Sequence, residues 1–79
     1  MIVSVEISYY PLTEDFNAPI ELFIKKINSK DVTIKTGKMS TLLTGEYSHV
    51  MKLLMDGMDA MMQEYPSVFN IKISNSCIL

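Results

Sequence analysis

The residues with most to offer chemically lie in Thr36-Gly37-Lys38-Met39-Ser40-Thr41-Leu42-Leu43-Thr44-Gly45. Four hydroxyls (Thr36, Ser40, Thr41 and Thr44) and two glycines fall within this one stretch. A hydroxyl donates one hydrogen bond and accepts others without carrying charge, which suits a neutral heterocycle better than a phosphate. The run Ile71-Lys72-Ile73-Ser74-Asn75-Ser76-Cys77 has the same character. Together the two runs predict the polar lining of a small binding module.

Other chemistries lack their residues. No Cys-x-x-Cys follows the first strand pattern, which argues against a heavy-metal carrier. No glycine-rich phosphate loop opens a helix. The chain has no arginine, so the usual bidentate clamp for carboxylate or phosphate is missing. His49 is the single histidine and has no acid or cysteine patterned near it, so it reads as structural or surface. Cys77, without a base beside it, reads as a small buried residue rather than a nucleophile. The methionines cluster between residues 51 and 62 and read as core filling rather than a copper site. With no nucleophile–base pair and no metal set, the expectation is a protein that is not an enzyme and needs no cofactor.

Two features stay open between roles. Tyr9-Tyr10-Pro11-Leu12 reads either as an aromatic strand end that packs, or as a ring for stacking on a heterocycle with its hydroxyl as an orienting donor. Glu6 and Lys72 read as a cross-strand ion pair, with a ligand contact as the alternative.

These residues need elements to hold them. Residues 2–10 alternate, with Val3, Val5, Ile7 and Tyr9 on one face and Ser4, Glu6, Ser8 and Tyr10 on the other. Pro11 is expected to end this strand by removing a ladder donor. Thr13-Glu14-Asp15 precedes a helical pattern at Phe16, Ile20, Phe23, Ile24 and Ile27, which predicts a helix from Asp15–Ala18 to Asn28 or Ser29. Val32 to Thr36 reads as a second strand, Gly37-Lys38 as a two-residue turn, and Met39 to Thr44 as a third strand closed by Gly45. Ser48 is the expected cap of a second helix, with Val50, Leu54, Gly57, Met58, Met61 and Tyr65 on one face and Pro66 at its end. Val68 to Ser76 reads as the last strand, with Phe69, Ile71 and Ile73 on its inner face.

The order β-α-β-β-α-β implies a ferredoxin-like α+β fold, a four-stranded antiparallel sheet with two helices on one face. Strands one and three should be central, with strand four beside strand one. The other face then carries Ser4, Glu6, Ser8, Ser40, Leu42, Thr44, Lys72 and Ser74, polar but short of charge. Such a face is expected to contact a ligand or a second subunit.

At 79 residues the chain is one domain, residues 1–79. A domain of this size buries only about 60–65% of its unfolded surface, while 48% of its residues are apolar. A homo-oligomer, dimer or tetramer, is therefore expected. Seven basic and nine acidic residues give a net charge of −2, which argues against nucleic acid and mildly favours a cationic small molecule. A single cysteine forbids an intrachain disulfide and fits a reducing compartment. No basic leader or cleavage site precedes Ile2-Val3-Ser4-Val5, and no apolar run approaches the roughly 20 residues that span a bilayer. Cys77 stands one place too near the end for prenylation. The expectation is a cytoplasmic protein without direct membrane insertion.

Three motifs in order carry a resemblance: Ser8-Tyr9-Tyr10-Pro11-Leu12 with Asp15-Phe16; Thr36-Gly37-Lys38-Met39-Ser40-Thr41 with Gly45 and His49-Val50; and Ile73-Ser74-Asn75-Ser76-Cys77. The chain resembles the YkoF-type thiamine/hydroxymethylpyrimidine-binding family over nearly its whole length. That resemblance implies a ferredoxin-like repeat that binds thiamine or its hydroxymethylpyrimidine half, linked to uptake or salvage of vitamin B1. Some members carry two repeats, whereas this chain has one, which implies that a second copy supplies the other. The family's polar ligand contacts, carried onto matching positions, fall on Thr36, Ser40, Thr41, Ser74, Asn75, Ser76 and Cys77, with Tyr10 nearby. Where longer relatives can carry a glycine before the cysteine, this chain has Ser76. If whole thiamine binds, its thiazolium charge should lie near a carboxylate, with Glu6, Asp15 or Glu46 as candidates. The alternative is a homo-oligomeric interaction or regulatory module that uses the open sheet face and has no small ligand of its own.

Overall fold

Alternation along the first strand fixes which way the sheet faces. In the computed structural model, which describes residues 1–76, β1 runs Ile2–Pro11. Val3, Val5 and Ile7 are buried on one side, while Glu6 and Tyr10 are exposed on the other. The chain continues through α1 (Asn17–Ile27), β2 (Val32–Thr36), β3 (Thr41–Glu46), α2 (Tyr47–Glu64) and β4 (Ser67–Ser74). The strand order is β2-β3-β1-β4, and every neighbouring pair is antiparallel. Both helices pack on the face that carries Val3, Val5, Ile7 and Leu43, which is the ferredoxin-like arrangement.

The core is shared by all three layers of contact. Phe23 and Ile27 of α1 meet Val50, Leu54 and Met61 of α2 over the strand residues. Each such side chain contributes about 1.5–3 kcal/mol when fully buried. Gly57 lies where the helices approach: a Cβ there would stand 3.0 Å from Ile27 Cγ2 and 3.3 Å from Phe23 Cε1. The glycine is thus a contact with α1. Of the methionines in α2, Met61 is buried, Met51 and Met58 pack against the core, and Met55 and Met62 are exposed. His49 is exposed on the first turns of α2.

Several boundaries differ from the sequence reading, each for a local reason. The β2–β3 connection is a four-residue turn, Gly37 to Ser40, closed by the Gly37 N–H donating to the Ser40 C=O at 2.8 Å. β3 therefore begins at Thr41, two residues later than expected. Gly45 lies inside β3, opposite Val3 and Val32, where a Cβ would be 3.0 Å from Val32 Cγ1 and 3.3 Å from the Asp31 carbonyl oxygen. Glu46 caps α2, accepting the Ser48 N–H at 2.9 Å and the Ser48 hydroxyl at the same oxygen, so Ser48 serves as donor to the cap. β4 ends at Ser74.

Pro11 belongs to β1 after all, and the ladder explains why. The Tyr47 N–H donates to the Met1 C=O and the Leu12 N–H to the Pro66 C=O, each at 2.8 Å. Hydrogen bonding alternates along a strand, so odd residues of β1 face β3 and even residues face β4. The N–H that Pro11 lacks would point toward β3, which does not extend that far. The proline removes nothing from the ladder to β4.

Candidate functional site

Unequal strand lengths open the main recess. The last pairing of β1 with β3 is Ile7 with Thr41, yet β1 continues through Ser8, Tyr9, Tyr10 and Pro11. Those four residues remain paired with β4 on their other side. The β2–β3 turn crosses the gap instead of a strand. A recess of about 410 Å³ results, floored by Ile7, Tyr9 and Thr41. Phe16, Ile20, Phe23 and Ile24 of the α1 segment form one wall, and Gly37, Lys38, Met39 and Ser40 form another.

The same alternation that spares Pro11 leaves Tyr9 with a free peptide edge. Its backbone N–H and C=O face the missing end of β3, and neither has a partner among the described residues. A strand edge of this kind is a ready hydrogen-bonding template. Here it offers one donor and one acceptor side by side in a mostly apolar hollow.

The hydroxyls around it are not equivalent. Ser8 Oγ donates to the Met39 carbonyl oxygen at 3.1 Å, and Ser40 Oγ donates to Glu6 Oε2 at 3.2 Å. Each has only one hydrogen, so both can offer a ligand nothing but lone pairs. Thr41 is 8% exposed, lines the recess, and has no partner for its hydroxyl among the described residues. Of these three aliphatic hydroxyls it alone can both donate and accept.

Adjacent tyrosines are separated by the pleat. The Tyr9 ring stacks on Phe69 with centroids 4.4 Å apart and meets Phe23 edge-on at 5.2 Å. Its hydroxyl lies 2.9 Å from Ser67 Oγ, which itself donates to the Tyr65 carbonyl oxygen. Ser67 has spent its hydrogen, so the Tyr9 O–H is the donor. Tyr9 is a brace, whereas Tyr10, on the other face of the strand at the rim of the recess, is 50% exposed and has no aromatic or hydrogen-bond partner for its side chain among the described residues.

A second, shallower hollow of about 240 Å³ lies on the open sheet face, lined by Ser4, Glu6, Leu42, Lys72, Ile73 and Ser74. Glu6 is opposite Lys72 in the register, and its Oε1 lies 3.8 Å from Lys72 Nζ. Ser4 Oγ and Thr44 Oγ1 lie 3.3 Å apart on the same face.

The sequence-predicted site residues therefore separate. Tyr10, Ser40 and Thr41 meet at the recess; Glu6 and Ser74 line the open-face hollow. Thr36 pairs with Thr41 at the end of β2 but lines neither, and Asn75 and Ser76 are exposed beyond β4. Cys77 lies outside the described residues. The two hydroxyl runs do not share one hollow, because Ser74 pairs with Ser4 near the start of β1 while the turn lies beyond Ile7. Ser74 Oγ instead accepts the Ser76 N–H at 3.0 Å, a local turn. Sequence reasoning passed over Phe16, Ile20, Ile24, Lys38 and Met39. Their signal was present, since Phe16, Ile20 and Ile24 keep the helical spacing, but it looks the same whether a strand or a gap lies opposite.

Charge is sparse here. Of the three carboxylates considered for a thiazolium, none lines the recess. Asp15 is exposed ahead of α1. Glu46 lies at the far end of β3, where the hydroxyl and N–H of Ser48 and the amino terminus hold its carboxyl down at about 2. Glu6 reaches the rim only through Ser40. Among the described residues no group of three His, Cys, Asp or Glu side chains could hold a metal ion, and no helix is long and apolar enough to cross a membrane.

The comparisons with known proteins agree on the fold. A structure of a protein from Streptococcus pneumoniae superposes with a TM-score of 0.87 at 26% identity, covering 99% of this chain and 90% of that one. A Thermotoga maritima protein assigned provisionally to thiamine biosynthesis or salvage gives 0.84 at 24% identity, with 96% and 85% covered. A hypothetical protein of Methanocaldococcus jannascii gives 0.83 at 21%, with 94% and 79% covered. No curated protein matches. The family described as thiamine-binding protein matches residues 5–76. A match over that span, on a chain with this fold, places the protein in the thiamine-binding protein family.

Proposed function

We propose that this protein is a non-catalytic binder of thiamine or of its free hydroxymethylpyrimidine, serving uptake or salvage of vitamin B1, and that the pyrimidine ring enters the recess beside Tyr9. The observation that carries the reading is the free peptide edge of Tyr9. An aminopyrimidine presents an exocyclic N–H beside a ring nitrogen, a donor next to an acceptor. The Tyr9 C=O and N–H offer the complement. Thr41 supplies an uncommitted hydroxyl, and Tyr10 and Phe16 supply aromatic surface for a flat ring. Recesses that are mostly apolar with a few convergent polar groups are the usual form of a small-molecule site.

Membership of a thiamine-binding family supports binding rather than catalysis. A second copy of the chain is part of the proposal. The open face carries Leu42, half-buried, next to a hollow that this chain leaves uncovered.

Isothermal calorimetry with thiamine and with the free pyrimidine tests the reading. Heat of binding from at least one, lost on crowding the recess with Thr41→Trp, is expected. No heat from either at millimolar ligand refutes it.

A further inference from the structure

We propose that the recess selects by charge, taking a phosphomonoester of the aminopyrimidine alcohol in preference to the cationic whole vitamin, with Lys38 as the specificity-determining residue. The inference rests on the proposed pyrimidine site and says which of its possible ligands fits best.

Fourteen of the described residues line the recess, and Lys38 is the one acidic or basic side chain among them. It sits in the turn that replaces the end of β3, on the opposite wall from Phe16 and Ile20. The ion pairs among the described residues use the amino terminus, Lys52 and Lys72, and Lys38 takes part in none of them. Its ammonium is free to meet a ligand. No Asp or Glu lines the recess to offset it.

The carboxylate that comes nearest by hydrogen bonding, Glu6, is engaged twice, accepting the Ser40 hydroxyl at 3.2 Å and standing 3.8 Å from Lys72 Nζ. A thiazolium ring placed in the recess would therefore have an ammonium on its wall and no Asp or Glu among the described lining residues to offset it. A phosphomonoester on the hydroxymethyl arm would meet a matching charge, and a lysine is well suited to phosphate as a point charge with three donors. Ser8 and Ser40 have given their hydrogens away, so among the described residues Lys38, Thr41 and the Tyr10 hydroxyl are the side chains left to donate, and Lys38 alone of these carries charge.

Net charge acts the other way. The chain carries −2 overall, which weakly repels an anion at long range. The selectivity is consequently local and of modest size, on the order of fivefold for a solvent-exposed pair.

The experiment is calorimetry on the full chain with three probes: the free hydroxymethylpyrimidine, its phosphomonoester and thiamine. It is run on wild type, Lys38→Gln and, as a distant exposed lysine, Lys30→Gln. The phosphomonoester is expected to bind about fivefold more tightly than the alcohol, and thiamine more weakly than either. The ester's advantage should vanish in Lys38→Gln, shrink at about 0.5 M salt, and survive in Lys30→Gln. Equal binding of ester and alcohol, tighter binding of thiamine, or an advantage that persists in Lys38→Gln would each overturn the inference while leaving the pyrimidine site standing. Silence from all three probes brings down the proposed function and the inference with it.

Discussion

Tyr9 and Tyr10 are neighbours in opposite surroundings, because successive side chains of a strand point to opposite faces. Tyr9 donates to Ser67 inside a cluster with Phe23 and Phe69, so Tyr9→Phe should cost about 1 kcal/mol of stability and leave ligand affinity nearly unchanged. Tyr10 has no such bond and lines the recess. Tyr10→Ala should leave stability nearly intact and weaken pyrimidine binding by about threefold to tenfold, the range of an aromatic stacking contact. Urea melts and calorimetry on the two variants separate the roles; matching losses of affinity in both would contradict the assignment. The dipeptide alone does not say which ring is which. The alternation along residues 2–10 puts Tyr9 on the buried face, and Phe69 opposite it in the register supplies the ring it stacks on.

The elements rest on particular local devices, and two of them can be tested. Glu46 holds the first turn of α2 through the hydroxyl and N–H of Ser48, and its carboxyl is lowered from 4.5 to about 2. A carboxylate depressed on folding stabilises above its unfolded value and loses that contribution as pH falls through its folded value. Wild type should therefore lose stability between about pH 4.5 and pH 2 in a phase that Glu46→Gln lacks; identical pH profiles for the two proteins would count against the cap. Gly57 sets the helix spacing. Gly57→Val pushes methyls into Ile27 and Phe23, and such overpacking should cost about 1–3 kcal/mol in a urea melt. Unchanged stability would show that α1 can give way. Strand and helix identities were legible because β1 alternates and α2 keeps its apolar stripe. The recess was not, because it depends on where β3 stops relative to β1. Met39-Ser40 can read as strand, and only the Gly37 to Ser40 bond shows that it is a turn.

At the level of the whole molecule, the sheet keeps one face without helices. Leu42 lies there beside Ser4, Glu6, Lys72 and Ser74. If a second copy covers this face, Leu42→Lys should turn a dimer or tetramer into a monomer by light scattering; a wild type that is already monomeric would remove the idea. The sequence showed that this face is short of charge, but not that its polar pair is tied to the recess. That tie runs from Ser40 through Glu6 to Lys72, with one carboxylate shared between a rim hydroxyl and an open-face ammonium. An assembly that drew Lys72 toward a partner would change how Glu6 holds Ser40, and a ring that drew on Ser40 would change what Glu6 offers Lys72. Thermodynamic reciprocity then makes the two events one quantity: whatever factor occupancy lends to association, association must lend to occupancy.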